Sequence, residues 1–201
     1  MPAIVLLSGG VESTTLLHQL YPQEPLRALF VDYGQRAAAR ERAAAERHCA
    51  VGGVQLSVFD LAAVGAAFRA EQTHKLHVPL PHRNLVIVSL ALSFAAQLGA
   101  TRIYLALNRE DTHAYASAGL AFIERLRAVA QTLAPPAPVE LLTPLIALGK
   151  ADIVRAGRAL GIDYALTYSC LLGYARHCGS CPQCRKRRAA FADAGVAEPA
   201  G

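Results

Sequence analysis

The chain of 201 residues has no tryptophan and only one methionine, and aromatic residues make up 6% of it. So few rings do not suggest a stacking platform for single-stranded nucleic acid. No apolar run approaches the roughly 20 residues that a membrane-spanning helix needs, and the N-terminus shows no charged stretch typical of a secretion signal. We therefore expect a cytoplasmic protein with no membrane partner.

Charged residues are also scarce, at 17%, whereas hydrophobic residues reach 53%. This composition is typical of one compact domain with a sizeable core. The formal net charge of +5 suits an anionic ligand such as ATP, and would also suit RNA. Much of the excess lies in residues 185–188, for which a solvated helix face is the ordinary explanation.

Apolar runs and helical patterns alternate from the start, which predicts a parallel sheet with helices on both faces. The region 60–81 contains prolines and several histidines in no metal-binding spacing, and we expect a polar loop there that covers a site. Residues 84–98 are apolar on nearly all sides, which predicts a buried helix. The predicted strands are 3–7, 26–31, 54–59, 102–107 and 139–142, and the predicted helices are 11–20, 37–48, 84–98, 115–133, 150–160 and 182–194.

The first predicted strand meets the first helix at LLSGGVESTT, residues 6–15. Two glycines at such a junction allow positive φ and close backbone approach, and four hydroxyls add donors, so the loop is suited to hold an anion. No Gly-Lys-Ser/Thr follows, which excludes the Walker A pattern, and an ordinary strand–helix turn is the alternative. The candidate nucleotide-binding residues of this loop are Leu7, Ser8, Gly9, Gly10, Val11, Glu12, Ser13, Thr14 and Thr15.

Five cysteines are present, of which Cys49 is isolated and Cys170, Cys178, Cys181 and Cys184 fall within fifteen residues. Four clustered thiolates predict tetrahedral zinc, and four ligands leave no position for water, so the site is structural. An iron–sulfur cluster and unrelated buried thiols are the alternatives. We expect a main domain over residues 1–165 and a zinc-binding segment over 166–201 packed on it.

The sequence SGGVES resembles the SGGxDS loop of the N-type ATP pyrophosphatases. Further motifs occur in the order seen in the QueC family of 7-cyano-7-deazaguanine synthases, and the resemblance extends from about residue 3 to 191. These motifs are DYGQR at 32–36, Arg83-Asn84 before a helix, Pro144-Leu145 with Lys150, and the terminal cysteines.

The resemblance implies a Rossmann-like fold of the adenine nucleotide α-hydrolase type with a zinc-bearing tail, commonly as a homodimer. It also implies that 7-carboxy-7-deazaguanine, ammonia and two ATP yield the nitrile, AMP and pyrophosphate. ATP, Mg²⁺ and one structural Zn²⁺ per chain are the implied cofactors.

Roles for individual residues follow from the same resemblance. Glu12 would hold Mg²⁺, and Ser13, Lys150 and Arg83 would act in catalysis. A solvated helix start for Lys150, a surface ion pair for Arg83 and a helix cap for Asp32 are the ordinary alternatives. The nucleotide would further contact Asp32, Gln35 and Arg36, and the substrate would contact Arg83, Asn84, Asp111 and Tyr115.

The chain departs from the family pattern in three places. Glu12 replaces an aspartate, and Ala106 replaces a glycine. Residues 111–118 read DTHAYASA, where the family has Asp followed by Ser-Gly-Tyr-Pro-Asp-Cys. The substrate assignment therefore depends on whether this segment contacts the deazapurine.

Three other functions remain open at the level of sequence. A QueC-like paralogue would adenylate another acid or join a 7-deazaguanine carboxylate to another amine. A zinc-containing RNA-binding module would use the basic run, although its ATP loop argues against this and makes a nucleic-acid partner the weaker expectation. A tRNA-thiolating enzyme would need a reactive cysteine, and Cys49 has no partner for that role.

Overall fold

The computed structural model describes residues 1–70, 72, 80–133 and 138–199. The predicted loop over 60–81 falls partly outside this range, including His74, His77 and Pro79. Residues 134–137, which follow the helix predicted over 115–133, lie outside the described residues as well.

Five parallel strands form one sheet within the described residues, in the order β3-β2-β1-β4-β5. The chain moves outward from β1 to β3 and then crosses back to place β4 on the other side of β1. Open parallel sheets bind ligands beyond the carboxyl ends of the strands, at the point where the order reverses. The strands are β1 (Ala3–Leu6), β2 (Leu26–Asp32), β3 (Gln55–Asp60), β4 (Arg102–Tyr104) and β5 (Glu140–Leu142).

Helices cover both faces of the sheet, as the alternating pattern predicted. Side chains of β1 alternate, so that Val5 joins one hydrophobic cluster and Ile4 the other. The first cluster includes residues of α1, α2, α7 and α8, and the second includes residues of α4 and α6. The helices are α1 (Val11–Leu20), α2 (Ala38–Gly52), α3 (Ala62–Ala70), α4 (Arg83–Leu98), α5 (Arg109–Ala114), α6 (Leu120–Thr132), α7 (Lys150–Ala159) and α8 (Pro182–Asp193).

Two predictions of local structure are wrong. Residues 62–70 form α3 rather than a loop, and the single helix predicted over 115–133 is interrupted. Tyr115 has extended backbone angles (φ −136°, ψ 123°), and Gly119 is extended too, at φ −66° and ψ 155°. Between them Ala116–Ala118 form a single 3₁₀ turn. Hydrophobic periodicity does not reveal such breaks because alanine and tyrosine are compatible with either conformation.

The prediction that α4 is buried on all sides is also wrong. Val88, Ala91 and Ala95 pack into the core, but Leu85 is 43% exposed. Ser89 and Ser93 lie on the exposed side and donate hydrogen bonds to the carbonyl groups one turn earlier. In the parts of the chain that the structure describes, no helix combines the length and the apolar character needed to cross a membrane.

Candidate active site and metal centre

A cleft of about 300 Å³ lies at the carboxyl ends of β1, β2 and β4. The loop after β1, the first residues of α4 and Lys150 at the start of α7 all line it. This location corresponds to the reversal of strand order, where a parallel sheet exposes its strand ends to ligands.

The loop after β1 is held by its own serines. The backbone N–H of Ser8 donates to Oγ of Ser13 at 3.1 Å, and the two hydroxyl oxygens are 3.0 Å apart. Gly10 is the N-cap of α1, and no side chain caps the helix. Because the first N–H groups of a helix have no partner within it, this end of α1 presents donors suited to an anion.

The two glycines of this loop have different requirements. Gly9 has φ +74°, and a Cβ atom there would lie 2.3 Å from the carbonyl oxygen of Glu41 on α2. Gly10 has φ −80°, so it does not use the positive φ that a glycine allows. A Cβ at Gly10 would have its nearest neighbour at 3.4 Å, the Ser8 hydroxyl. Gly9 therefore serves the turn and the approach of α2, whereas Gly10 lines the cleft.

Several candidate residues of the loop lie outside the cleft. Val11 is part of the core, and Thr15 donates to the carbonyl of Val11 at 2.8 Å and contacts the Tyr164 hydroxyl at 2.6 Å. Thr14 is fully buried, and its hydroxyl has no hydrogen-bond partner among the described residues. The helical turn directs these side chains inward. Of the loop residues named from the sequence, the cleft is lined by Leu7, Ser8, Gly10, Glu12 and Ser13.

Glu12 and Lys150 form an ion pair at the edge of the cleft. Burial opposes ionisation of Glu12, but the charge and hydrogen bond of Lys150 outweigh it and lower the pKa of this carboxyl. Glu110 accepts a hydrogen bond from the backbone N–H of Lys150 at 3.1 Å and so fixes the start of α7. The Lys150 side chain is therefore held in the cleft by an ion pair and is not a solvated residue at the start of a helix.

Asp111 lines the same side of the cleft. Asn108 holds Asp111 through two hydrogen bonds. The side-chain amide of Asn108 donates to Oδ2 of Asp111 at 2.7 Å, and the backbone N–H of Asp111 donates to Oδ1 of Asn108 at 3.0 Å. Burial raises the pKa of Asp111, and the charge of Lys150 offsets only part of this effect. Glu12, Asp111 and Lys150 thus form one charged group beside the loop.

A second charged group lies on the side of β2. Gln35 accepts from the Tyr33 N–H at 2.9 Å and donates to Oε2 of Glu41, also at 2.9 Å. Arg83 donates to the Tyr33 hydroxyl at 3.1 Å, with its guanidinium carbon 5.7 Å from the centre of that ring. Gln35, Arg83, Tyr33 and Glu41 all line the cleft.

Sequence reasoning missed Glu41 and Tyr33. An acidic residue in the first turn of a helix is commonly a solvated dipole partner, so no local signal distinguishes Glu41. Asp32, in contrast, accepts a hydrogen bond from the Gly34 N–H at 2.8 Å in the turn and does not line the cleft. Arg36 is exposed outside it.

Of the remaining substrate candidates, Asn84 lies in the cleft lining and Tyr115 lies outside it. Asn84 lines the cleft and donates to the carbonyl of Ser117 at 2.8 Å, which links the segment 111–118 to the site. Tyr115 is 47% exposed, lies outside the cleft lining, and its ring centre is 5.4 Å from Nζ of Lys186.

The four clustered cysteines converge as a metal centre requires. Their sulfur atoms all lie within 4.8 Å of one another, and those of Cys178 and Cys184 are 3.8 Å apart. Tetrahedral zinc with bonds of about 2.3 Å places its sulfur ligands about 3.8 Å apart. Backbone N–H groups donate to Cys178 and Cys181 at 3.3 and 3.4 Å, as expected around thiolates. A hydrogen bond from the Ser180 hydroxyl, with the N–H of Cys181, lowers the pKa of Cys178 to about 6.

The cysteine segment also forms part of the cleft. The N–H of Tyr168 donates to the carbonyl of Gly9 at 2.9 Å, and Tyr168, Ser169 and Leu171 line the site. Gly173 has φ +71°, and a Cβ there would lie 2.3 Å from the carbonyl oxygen of Arg36, so this turn packs directly on the chain after β2. The cysteine segment, which we also call the metal segment, is therefore in direct contact with the loop after β1.

The basic run at 185–188 is not one exposed patch. Arg187 is only 4% exposed and donates to Thr167 Oγ1 at 2.7 Å and to the Tyr164 carbonyl at 2.9 Å. It also pairs with Glu198 at 3.2 Å. Its charge is used to hold the C-terminal segment.

The fold has a solved counterpart in the NMN synthetase from Francisella tularensis. The two structures superpose with a TM-score of 0.58 at 12% identity, over 98% of this chain and 79% of the other. At this identity the likeness concerns the fold alone. A parallel α/β sheet with an SGG loop after its first strand places the chain in the class of PP-loop, adenine nucleotide hydrolase-like proteins.

Residues 2–195 match the model of the family described as Queuosine biosynthesis protein QueC, and the chain belongs to this family. It is 34% identical to "7-cyano-7-deazaguanine synthase 1" of Sulfurisphaera tokodaii, over 99% of this chain and 96% of that protein. It is 38% identical to the 7-cyano-7-deazaguanine synthase of Magnetococcus marinus, over 100% of this chain and 96% of that protein. The resemblance read from the motifs is thereby confirmed.

Proposed function

We propose that this protein is a 7-cyano-7-deazaguanine synthase that uses ATP and ammonia to convert 7-carboxy-7-deazaguanine to the nitrile. The family match over residues 2–195 is the observation that carries this proposal. The loop, Lys150 and Arg83 around one cleft support it, because an enzyme that adenylates an acid needs anion donors and cations together.

The chemistry requires two activations. A substrate carboxylate oxygen attacks the α-phosphorus of ATP, the bond to the bridging oxygen breaks, and pyrophosphate leaves. Ammonia then displaces AMP from the acyl carbon, losing a proton to give the amide. The amide oxygen attacks the α-phosphorus of a second ATP, pyrophosphate leaves again, and loss of one N–H proton gives the adenylated imidate. This imidate then loses AMP and its remaining N–H proton to form the nitrile.

The residues of the cleft suit the departure of pyrophosphate. The N–H groups at the start of α1 and the hydroxyls of Ser8 and Ser13 would bind the leaving anion, where positioned donors give most of the rate. Lys150 would neutralise phosphate or acyl oxygen. Arg83 and Asn84 would hold the acid on the opposite side of the loop.

Glu12 and Asp111 would hold Mg²⁺. Both carboxylates line the cleft, and the positive charge of Lys150 acts on both of them. Carboxylate oxygens beside a phosphate site are ligands that suit Mg²⁺. When bound, Mg²⁺ would neutralise phosphate charge. Asp32, Gln35 and Arg36 lie outside this group, and we assign Gln35 the positioning of Glu41 rather than a contact with the nucleotide.

Zinc is the metal we propose for the four cysteines. The sulfur spacing fits one tetrahedral ion, whereas a cluster of several irons would need its cysteines farther apart. We further propose the main domain over 1–165, with this segment as its appendage, and the cytoplasmic location that the sequence pattern predicts. A homodimer is proposed because the family resemblance implies it.

One observation favours a second candidate, a paralogue acting on another 7-deazapurine acid. The segment 111–118 departs from the family pattern and contacts Asn84 of the cleft through Ser117. A thiolating role is disfavoured, because burial raises the pKa of Cys49 to about 12 and it is only 3% exposed.

The test is product analysis by mass spectrometry after incubation with ATP, Mg²⁺, an ammonium salt and 7-carboxy-7-deazaguanine. We expect the nitrile, AMP and pyrophosphate, and a loss of about 10²–10³-fold in rate for Ser13→Ala. Ser89→Ala, on the exposed face of α4, is the matched control and should retain full activity. ADP as the main product contradicts the proposal, and turnover of a different acid supports the paralogue.

A further inference from the structure

Glu41 is a carboxylate in the cleft to which the sequence pattern assigns no role. It lines the cleft from the first turn of α2 and accepts one hydrogen bond, from Nε2 of Gln35 to Oε2 at 2.9 Å. Gln35 cannot easily turn away, because its carbonyl accepts from the N–H of Tyr33. The carboxylate is thus held in a fixed orientation.

Much of the acceptor capacity of Glu41 is unused. A carboxylate can accept about four hydrogen bonds, and a single one, from Gln35, is found among the described residues. Within these residues Glu41 has no ion pair, and the charge of Arg83 influences it only from beyond contact distance. Burial raises the pKa of Glu41, so N–H donors from a ligand would stabilise its ionised form.

We propose that Glu41 determines specificity by accepting the N1–H and 2-amino N–H groups of the deazaguanine acid, which rests on the function proposed above. A carboxylate repels phosphate but accepts hydrogen bonds from N–H groups, so the uncharged donor edge of a ring is a suitable ligand. The 2-aminopyrimidinone edge offers two adjacent donors to two oxygens. Its neighbouring carbonyl oxygen is an acceptor for Arg83; among the described residues the one side-chain hydrogen bond of this guanidinium runs from Nη1 to the Tyr33 hydroxyl.

An adenine edge fits this arrangement less well. It offers a single amino group beside an acceptor nitrogen, which would leave one carboxylate oxygen without a donor. Val31, Ile87 and Leu105 supply apolar surface in the same cleft for a planar ring.

The experiment compares wild type, Glu41→Gln and Glu46→Gln by calorimetric titration. Glu46 lies on the same helix, its side chain is 49% exposed, and its ion pair within the described residues is with Arg42, so it is the matched control. The titrants are a non-hydrolysable ATP analogue, 7-carboxy-7-deazaguanine, and the same acid lacking its 2-amino group. Both acids are titrated with the ATP analogue present.

For the wild type we expect 7-carboxy-7-deazaguanine to bind at least about 100-fold more tightly than the same acid without its 2-amino group. The reason is that the acid without this group would leave a buried carboxylate oxygen without a donor, which costs much binding free energy. Glu41→Gln should lose most of this difference while the affinity for the ATP analogue stays within about twofold. Glu46→Gln should match the wild type.

Three results for Glu41→Gln would overturn the inference. The first is weaker binding of the ATP analogue, which would assign the residue to adenine. The others are an equal loss of affinity for both acids, and no change in the affinity for either acid. If Glu41→Gln fails to fold, the wild-type preference still decides, since its absence refutes the inference. A wild type that neither binds nor converts 7-carboxy-7-deazaguanine refutes the proposed function itself, whereas turnover without 2-amino discrimination refutes the role of Glu41 alone.

Discussion

At the scale of single residues, the two glycines of the loop after β1 make different contributions. Gly9 requires a positive φ and has the carbonyl oxygen of Glu41 at 2.3 Å from a hypothetical Cβ. Gly10 has ordinary backbone angles, and a Cβ there would make only van der Waals contacts, the nearest at 3.4 Å from the Ser8 hydroxyl. A family motif alone treats both as phosphate-approach glycines, whereas the structure places Gly9 against α2 and Gly10 in the lining of the cleft.

We predict that Gly9→Ala destabilises the fold by about 2–4 kcal/mol, from backbone strain and the clash with α2. Gly10→Ala should change the free energy of unfolding by less than about 1 kcal/mol and reduce ATP affinity instead. Urea unfolding and titration with an ATP analogue measure the two effects. Equal stability of the two variants would contradict this assignment.

Sequence reasoning identified the residues on the loop but not their orientation. Ser8, Ser13 and Glu12 face the cleft, whereas Thr15 pairs with Tyr164 in the core. The helical turn decides this, and a motif of consecutive hydroxyl residues does not show which ones a following helix turns inward. Glu41 escaped notice because its hydrogen-bond partner, Gln35, lies outside α2, and local sequence does not show that the two side chains meet.

At the scale of elements, the strands and most helices could be predicted, the strands from their short apolar runs and α2 from its many Ala, Arg and Glu residues, which favour helices. The segment 109–119 could not, since its conformation depends on the Asn108 cap of α5 and on the extended Tyr115. Its contact with Asn84 brings it to the cleft edge from a different part of the chain. This is also where sequence and family pattern disagree.

We predict that the triple change Ala116→Pro, Ser117→Asp and Ala118→Cys improves turnover of 7-carboxy-7-deazaguanine. Tyr115 already has the extended conformation that a residue before proline prefers, so the backbone accepts the change. The new carboxylate would lie beside Asn84 and add a hydrogen-bonding group to the site. Steady-state kinetics measures the effect, with Ala116→Pro alone as control.

A gain of about tenfold in kcat/KM would equal about 1.4 kcal/mol of added transition-state binding. An unmodified protein that already performs as well as family relatives, together with no effect of the triple change, would show that this segment does not read the substrate. Ala118 is 1% exposed, so a loss of stability from the larger side chain of Ala118→Cys must be checked by thermal unfolding.

At the scale of the whole molecule, the metal segment and the sheet form one unit around the cleft. The cysteines were predictable from their spacing, but their contact with the nucleotide loop was not. The hydrogen bond from Tyr168 to Gly9 and the packing of Gly173 on Arg36 join distant parts of the chain. Metal binding should therefore affect both stability and the ATP site.

We predict about one zinc per chain, and loss of it in Cys181→Ser. Cys181 is the N-cap of α8, and its sulfur accepts from the Cys184 N–H. Serine is a good N-cap, so this substitution removes the metal ligand while keeping the cap. Because binding free energy of a structural metal is folding free energy, stability should fall by several kcal/mol, on the order of 3–5.

The matched control is Cys49→Ala, which removes the one cysteine outside the centre and should retain full zinc content. Elemental analysis, urea unfolding and titration with an ATP analogue give the readouts. Cys181→Ser should also bind the analogue more weakly, because Tyr168, Ser169 and Leu171 would lose their position beside the loop. Iron in place of zinc would refute the metal assignment. Unchanged ATP affinity in a folded, metal-free Cys181→Ser protein would show that the loop holds its shape without the metal segment.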